Sequence, residues 1–462
     1  MFETMILGAG PAGTGPLAWA AANGALGDWL DRGIAIVDRQ DAMGGNVGRY
    51  ALNGDTLGGT FLECLDGAAP ADWLVGLRRD PAALALECYR DALPPLPLVG
   101  RFVARLGEVV TREIARHPPS RFFARMQVLS LRLCRDGSVA AELADRDGGR
   151  HILRAASAVL ALGGCQAAAW QTTELWPGLG LGRWRDKIMP SDDLLGAGGA
   201  ARAAARLRRP RRAARAVILG GSHSAFSAAW MLLERLPEAM GAPGCVQILH
   251  RGAPRVFYPS RAAAAAEGYA FTEADICPAT GRVHRLGGLR GDGRDLWRRM
   301  QGLAGHGVET RAVLRPLAAM AGATLHALLD AADLIVTAFG YRLAAVPIVD
   351  ADGQRVPLAM NGPAVDADAK LRVAGGGVLP NVFGIGLGSG FRPWGAMAGE
   401  PGFQGQQNSL WLYQHGLGEL IHDGVRRWAA PRRGRAAEAP LPRARDLAAL
   451  LLGSDARVPG VT

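Results

Sequence analysis

Two short runs in the chain carry the residue types that cradle phosphates. The first is Gly8-Ala9-Gly10-Pro11-Ala12-Gly13, followed one strand–turn–helix–strand unit later by an acid, Asp38. The second is Gly220-Gly221-Ser222-His223-Ser224-Ala225, with a cation, Arg251, at the corresponding later position. In the first run Gly8 permits the tight turn, Gly10 lets the backbone approach a pyrophosphate, and Gly13 lets the helix pack on its strand. The amides of the helix that opens at Pro11 and Ala12 face the phosphates. Asp38 is then placed to accept hydrogen bonds from ribose hydroxyls, with Arg39 beside it as a second contact. In the second run Gly220, Ser222, His223 and Ser224 make the turn, and Ser222 replaces the middle glycine. A carboxylate at the end of the next strand favours a free ribose 2′-hydroxyl, whereas a guanidinium favours a 2′-phosphate. Arg251 therefore predicts NADPH over NADH, the plain alternative being a residue that caps an exposed loop. His223 has two readings as well, a phosphate contact or a packing role.

The elements needed to hold these turns are legible around them. Met5-Ile6-Leu7 reads as a strand, Thr14 to Leu26 as an Ala-rich helix, and Ile34 to Val37 as a second strand. Arg101 to His117 is an amphipathic helix. From Met126 to Leu153 short strands alternate, broken by the hairpin signals Asp136-Gly137 and Asp147-Gly148-Gly149. Ala158 to Gly164 is a buried strand closing on glycines. Ala216 to Leu219, a helix over Phe226 to Leu236, and Val246 to Leu249 form the second unit. Phe226 and Trp230, four residues apart, belong to its core. Asp333 to Tyr341 is a further buried strand ending at Gly340-Tyr341. Asn381 to Ile385 is another, running into Gly386-Leu387-Gly388-Ser389-Gly390, and Gln404 to Leu417 reads as a helix. The fold class is α/β: two Rossmann-like dinucleotide-binding domains, the second inserted into the first.

Composition narrows the partners. The 462 residues are 49% hydrophobic and include 63 glycines without a collagen-like period, so the glycines serve turns and close approaches in a chain of two or three domains. No apolar run approaches the ~20 residues that span a bilayer, and no basic leader precedes the first strand, so the cytosol is the expected compartment. Six scattered cysteines without a CxxC pair argue against a disulfide scaffold or a dithiol redox centre, and no histidine joins a metal-ligand cluster. Net charge is +10, concentrated in Arg202 to Arg215 and in Arg426 to Arg435. The first run is Ala/Arg without interleaved aromatics, which reads as a solvated connector and not as a nucleic-acid contact. The partners expected are a small-molecule substrate and O2, with no nucleic acid and no membrane; a homo-oligomer is compatible with the sequence.

Taken together, these motifs resemble the two-dinucleotide-binding-domain flavoproteins, and within them the single-component flavin monooxygenases: flavin-containing, Baeyer–Villiger and amine N-hydroxylating enzymes. After the first glycine run come Met43-Gly44-Gly45-Asn46, then Arg49-Tyr50 and Asp55, similar to the segment that lies against the flavin in these enzymes, with Val47 in place of tryptophan. Leu175-Trp176-Pro177-Gly178-Leu179 resembles the turn leading to the NADPH domain. Asp333 to Tyr341 is similar to a signature of the group, with Phe339 for threonine, and Asn381 to Gly386 matches the strand that returns to the FAD. The likeness spans about residues 1 to 425. Ala168 stands where the Baeyer–Villiger fingerprint has histidine. Ala270 to Pro278 and Lys187 to Leu195 resemble stretches of the amine N-hydroxylases, with Thr272 for asparagine and Pro190 for histidine.

The resemblance implies FAD and NADPH as cofactors, an FAD domain over 1–165, a connector over 166–215 and an NADPH domain over 216–345. A return segment with the substrate region would occupy 346–425, followed by a tail over 426–462. It implies FAD contacts from Gly8, Gly10, Pro11, Ala12, Gly13, Asp38, Arg39, Gly44, Gly45, Arg49, Gly386 and Leu387. NADPH contacts would come from Gly220, Ser222, His223, Ser224, Arg251, Gly340 and Tyr341. Asn46 and Asp55 become the candidate catalytic residues. Asn46 either bonds the flavin or nicotinamide or shapes a turn, and Asp55 either flanks the flavin edge or caps the next turn. Arg392 and Trp394 either line a substrate cavity or sit in a surface loop. No metal is implied. The expected reaction is oxygenation of a heteroatom, with an amine nitrogen favoured, at the expense of NADPH and O2. Two rivals share the sequence evidence: an NAD(P)H-dependent FAD reductase or oxidase that never oxygenates substrate, and a flavin-bound partner-binding protein.

Overall fold

The apolar run at the amino terminus becomes the middle of a sheet because its neighbours on both sides are equally apolar. In the computed structural model, Phe2–Leu7 pairs in parallel with Ile34–Val37 and with the carboxyl half of Arg150–Leu160, so that Leu7 lies opposite Val37 and Leu160. Met5 to Leu7 and Ile34 to Val37 are fully buried, as in parallel strands covered on both faces. Arg121–Phe123 extends one edge, and Val378–Gly384 joins Arg150–Leu160 on the other side. The structure describes residues 1–166, 169–176, 179–208, 213–359 and 362–429. The Pro177-Gly178 turn, Ala168 and the tail beyond 429 lie outside the described residues.

Arg150–Leu160 corrects the sequence reading of two separate elements. It is one strand of 11 residues whose amino half pairs antiparallel with Val139–Ala144 and whose carboxyl half pairs in parallel with Phe2–Leu7. Its burial is alternating at first and continuous at the end, because only the carboxyl half is covered on both faces. The change of periodicity therefore marks a change of neighbours within one strand.

The second sheet is all parallel, in the order Ile188–Pro190, Leu334–Thr337, Ala216–Leu219, Val246–His250, Ala312–Pro316. Its edge strand Ile188–Pro190 comes from the 166–215 segment. The helix His223–Arg235 starts three residues before the expected Phe226, with Ser222 as the residue ahead of its first turn. Phe226 is fully buried in the core of this unit and Trp230 packs half-buried against it, as expected.

Two other expectations are corrected. The arginine run opens as a packed helix, Gly199–Leu207, because Ala203 and Leu207 fall on one face and are buried. Arg202 donates to the Asp193 carbonyl (2.6 Å) and Arg206 to the Ile188 carbonyl (2.8 Å), so these two side chains, though exposed, are tied to the fold. Residues 209–212 lie outside the described residues. The carboxyl-terminal helix does not begin at Gln404: residues 404–408 are irregular. Ser409 then caps the helix Leu410–Gln414 by accepting from the Leu412 amide, and a break at His415 precedes Gly416–Ala429. Among the described residues no helix is long and apolar enough to cross a membrane.

Candidate active site

The glycines of the first turn answer to two different neighbours. Gly8 has φ +106°, and a Cβ there would lie 2.3 Å from the Ala161 carbonyl oxygen, so the strand next door requires glycine. Gly10 is different: its backbone is extended, and a Cβ would meet only the Gly45 Cα, at 3.9 Å. No described residue requires glycine there, which fits a group seated against the turn from outside. The helix Pro11–Ala22 has no acidic residue in its first turn and no side chain capping its first amides, leaving them for an anion. Asp38 Oδ2 accepts from the Ala9 amide (2.6 Å) and Oδ1 from the Gln40 amide (2.8 Å), which fixes the carboxylate at the strand's tip beside the turn. The loop carrying Gly44 and Gly45 is tied back to the turn, Gly44 N donating to Ala9 O at 2.8 Å. From the far end of the chain Gly386 closes the ring, a Cβ there lying 3.0 Å from Ala12. A dinucleotide's pyrophosphate and ribose fit this cradle.

The second turn is built alike. Ser222 makes no capping bond of its own to the helix it precedes, so its hydroxyl and the first amides remain available. Arg251 is exposed, and among the described residues no carboxylate or hydrogen-bond acceptor holds its guanidinium. A 2′-phosphorylated dinucleotide fits that arrangement. His223 is engaged elsewhere, with Nε2 at 2.8 Å from the Gly288 carbonyl and 4.0 Å from an Asp55 oxygen. It ties the second turn to a loop of its own unit and faces the first unit. Asp55 does not cap the next helix, whose leading residue is Leu57; among the described residues its one hydrogen bond is from the Thr56 hydroxyl (3.2 Å), and it is exposed. Asn46 is exposed, with no side-chain hydrogen bond among the described residues. Arg39 is exposed too and joins neither cluster.

The adjacent Arg49 and Tyr50 and the distant Tyr341 converge on one carboxylate that sequence reasoning missed. Asp192 Oδ1 accepts from the Tyr50 hydroxyl (2.5 Å) and from the Tyr341 hydroxyl (2.7 Å), and Oδ2 accepts from Arg49. The Asp192 amide and the Ser191 hydroxyl both donate to the Gln166 side-chain oxygen at 3.1 Å. Burial pushes the Asp192 carboxyl up, but the donors from Tyr50, Tyr341 and Arg49 outweigh it and hold the group below the usual carboxylate range. Burial and the neighbouring Tyr50 and Asp192 push the Tyr341 phenol far up, so it stays a donor at any working pH. Arg49 and Tyr341, read from sequence as contacts to two different cofactors, are thus joined to each other. The cluster pins the loop 46–55 of the first unit to the carboxyl edge of the second sheet.

Behind Tyr341 a cavity of about 220 Å³ is lined by Arg342, Gly388, Gly390, Arg392, Gln404 and Gln406, among others. Arg392 lies on this cavity, whereas Trp394 is 48% exposed and donates to the Ala367 carbonyl. On the other side of the junction Asn53 donates to Asp292 (3.1 Å), so the loop 53–55 meets the segment 284–292 of the inserted unit.

Two glycine turns, each opening a helix behind a parallel strand, and the Asp192 cluster that joins their units belong to a fold of two Rossmann-like dinucleotide-binding domains, one inserted into the other. No family model matches the chain. Among curated proteins it is 35% identical over 441 residues to the CMP-5′-(3-aminopropyl)phosphonate hydroxylase of Streptomyces rubellomurinus, covering 91% of this chain and 96% of that one. Among solved structures it resembles the FAD-bound cadaverine monooxygenase of desferrioxamine biosynthesis from Erwinia amylovora, at 12% identity and a TM-score of 0.52, covering 96% and 99%. That likeness shows the fold. The chain belongs to the family of the Streptomyces hydroxylase and is an oxidoreductase.

Proposed function

We propose that the enzyme hydroxylates the terminal primary amine of a nucleotide-linked aminoalkylphosphonate. The observation that carries this reading is the 35% identity to a hydroxylase of such a compound, sustained over nearly the whole of both chains. The redox and oxygen chemistry would be supplied by FAD and NADPH when bound. The chain's part is to hold and orient. The turn Gly8 to Gly13, with Asp38, Gly44, Gly45, Gly386 and Leu387, would hold FAD; Gly220, Ser222, Ser224 and Arg251 would hold NADPH. Arg49 and Tyr341 act through Asp192 to keep the two cradles aligned. Asn46 and Asp55, exposed on the loop that faces His223, would line the reacting end of the cleft. The amine must present a neutral lone pair, and a cleft that excludes water lowers its pKa toward that state. Free, unpaired cysteines and the need for NADPH support a cytosolic setting.

The direct test supplies FAD-loaded protein with NADPH, O2 and CMP-5′-(3-aminopropyl)phosphonate. A product heavier by one oxygen atom, formed in step with NADPH consumption, is expected. NADPH consumption matched entirely by hydrogen peroxide would move the enzyme to the oxidase alternative. For the pyridine nucleotide, Arg251→Ala is expected to raise KM for NADPH roughly 10- to 100-fold, the worth of a charge-assisted contact to phosphate, and to leave that for NADH unchanged. An equal change for both would return Arg251 to the role of a loop residue.

A further inference from the structure

A group of arginines beside the junction lacks the anions that such side chains ordinarily meet inside a protein. Arg255 and Arg290 flank a parallel bridge between Val256 and Leu289, and Arg282 precedes Val283, which bridges antiparallel to Tyr258. The Leu289 amide donates to the Arg255 carbonyl at 2.7 Å, and a Cβ on Gly287 would lie 3.6 Å from Arg255 Cδ. Arg290 donates to the Arg285 carbonyl and packs its guanidinium over the Phe257 ring at 4.2 Å. Arg285 donates to the carbonyls of Met397 (3.1 Å) and Ala398 (3.0 Å) of the return segment, and its Nε is buried with no partner. Among the described residues none of these four has a carboxylate oxygen within ion-pairing distance.

The acids nearby are committed elsewhere or stand apart. Glu400, buried, accepts from the amides of Leu286 and Gly287 at 3.0 Å. Asp275 accepts from the Thr272 amide and hydroxyl. Asp55 is exposed across the junction. Burial lowers the proton affinity of Arg290, Asp55 raises it somewhat, and the charges of Arg282 and Arg285 lower it again. A guanidinium nonetheless remains charged at any working pH. Arg285 and Arg290, partly out of water with backbone carbonyls and the Phe257 ring as their partners, are stabilised by an incoming anion, and the exposed Arg255 and Arg282 add their charge beside them.

We propose that Arg255, Arg282, Arg285 and Arg290 form the seat for the phosphoryl groups of the nucleotide-linked amine. The location suits this role. The segment 284–292 meets the loop 53–55 of the first unit, the His223 turn of the second and residues 397–400 of the return segment, so an anion seated there would extend its amine toward the cleft. Guanidinium forks match the paired oxygens of a phosphate–phosphonate bridge, which no amino-acid amine carries. This assignment rests on the nucleotide-linked amine proposed above. Phosphate chemistry also belongs to NADPH, and the test separates the two sources.

The exposed pair is substituted first, as Arg255→Ala and Arg282→Ala, because Arg285 and Arg290 also brace the backbone. Arg290→Lys, which keeps the charge and loses the fork, is the third variant. CMP is titrated calorimetrically into each FAD-loaded protein with NADP+ present, and KM is measured separately for CMP-5′-(3-aminopropyl)phosphonate and for NADPH. CMP binding weakened about ten-fold or more, with KM for the amine rising in parallel and kcat changing much less, is the expected result. Unchanged CMP binding and unchanged KM in all three variants would overturn the assignment. So would a rise confined to KM for NADPH, which would give the arginines to the pyridine nucleotide. If wild-type enzyme neither binds CMP nor oxygenates the CMP-linked amine, the proposed function fails before the arginines are tested.

Discussion

Gly10→Ala is expected to leave the fold intact and to strip the protein of flavin. The backbone at Gly10 is extended, a conformation any residue adopts, and the added methyl would find only the Gly45 Cα at 3.9 Å. In the chain itself the substitution should therefore be close to neutral. Against a pyrophosphate drawn onto the helix amides the same methyl occupies the space of the ligand. A loss of roughly 100-fold in FAD affinity, about 2.8 kcal/mol, is the expected size. Gly13→Ala should fail for the opposite reason: its Cβ would stand 1.8 Å from the Gly8 carbonyl oxygen, a contact within the protein. Overpacking of that kind costs ~1–3 kcal/mol or more where backbone meets backbone. Flavin content after purification and urea denaturation of the flavin-free proteins separate the two effects. A yellow Gly10→Ala protein of wild-type FAD affinity would sink the assignment of the cradle. An unstable, flavin-free one would show that the turn itself needs glycine.

How far the sequence revealed the site depended on how locally each part is encoded. Gly8 to Gly13 and Asp38 were legible because turn, helix and acid lie within one contiguous unit, and each residue type answers to a neighbour a few positions away. Arg49 and Tyr341 were picked out by their motifs, but their meeting was not, since Asp192 reaches them across 143 and 149 positions of chain. Sequence spacing carries no signal for such a convergence, although Asp192 lies within the Lys187 to Leu195 stretch that resembles the amine N-hydroxylases. The strand Arg150–Leu160 was split for a related reason. Its periodicity changes where its neighbours change, and those neighbours are distant in sequence. The late helix was misplaced because residues 404–408 lack a breaker strong enough to announce the cap at Ser409. The arginines at 255, 282, 285 and 290 form no run in the sequence, and bridged segments bring them together.

Asp192→Asn should produce the largest loss of stability among substitutions near the junction. Asparagine keeps one acceptor oxygen, uncharged and so weaker toward the two phenols, and its N–H₂ must face a donor, either the Arg49 guanidinium or, if the amide is turned over, the phenols themselves. Arg49 is 47% exposed, so its ion pair with Asp192 contributes little, and the tyrosine hydroxyls carry most of the effect. Leaving a partly buried donor unpaired costs ~1–3 kcal/mol, so a deficit of about 2 kcal/mol in urea denaturation at neutral pH is expected. Tyr341→Phe introduced into the Asp192→Asn background should then cost less than it does in wild type, because its partner is already lost. The pH dependence fixes the charge. A carboxyl held below its usual value contributes stability that is complete above the ordinary aspartate value of 3.8 and lost as the pH falls through its lower folded value. The gap between wild type and Asp192→Asn should accordingly stay constant across neutral pH and narrow only below about 4. A gap that persists undiminished in acid would mean that shape, and not the ionised carboxylate, joins the two cradles.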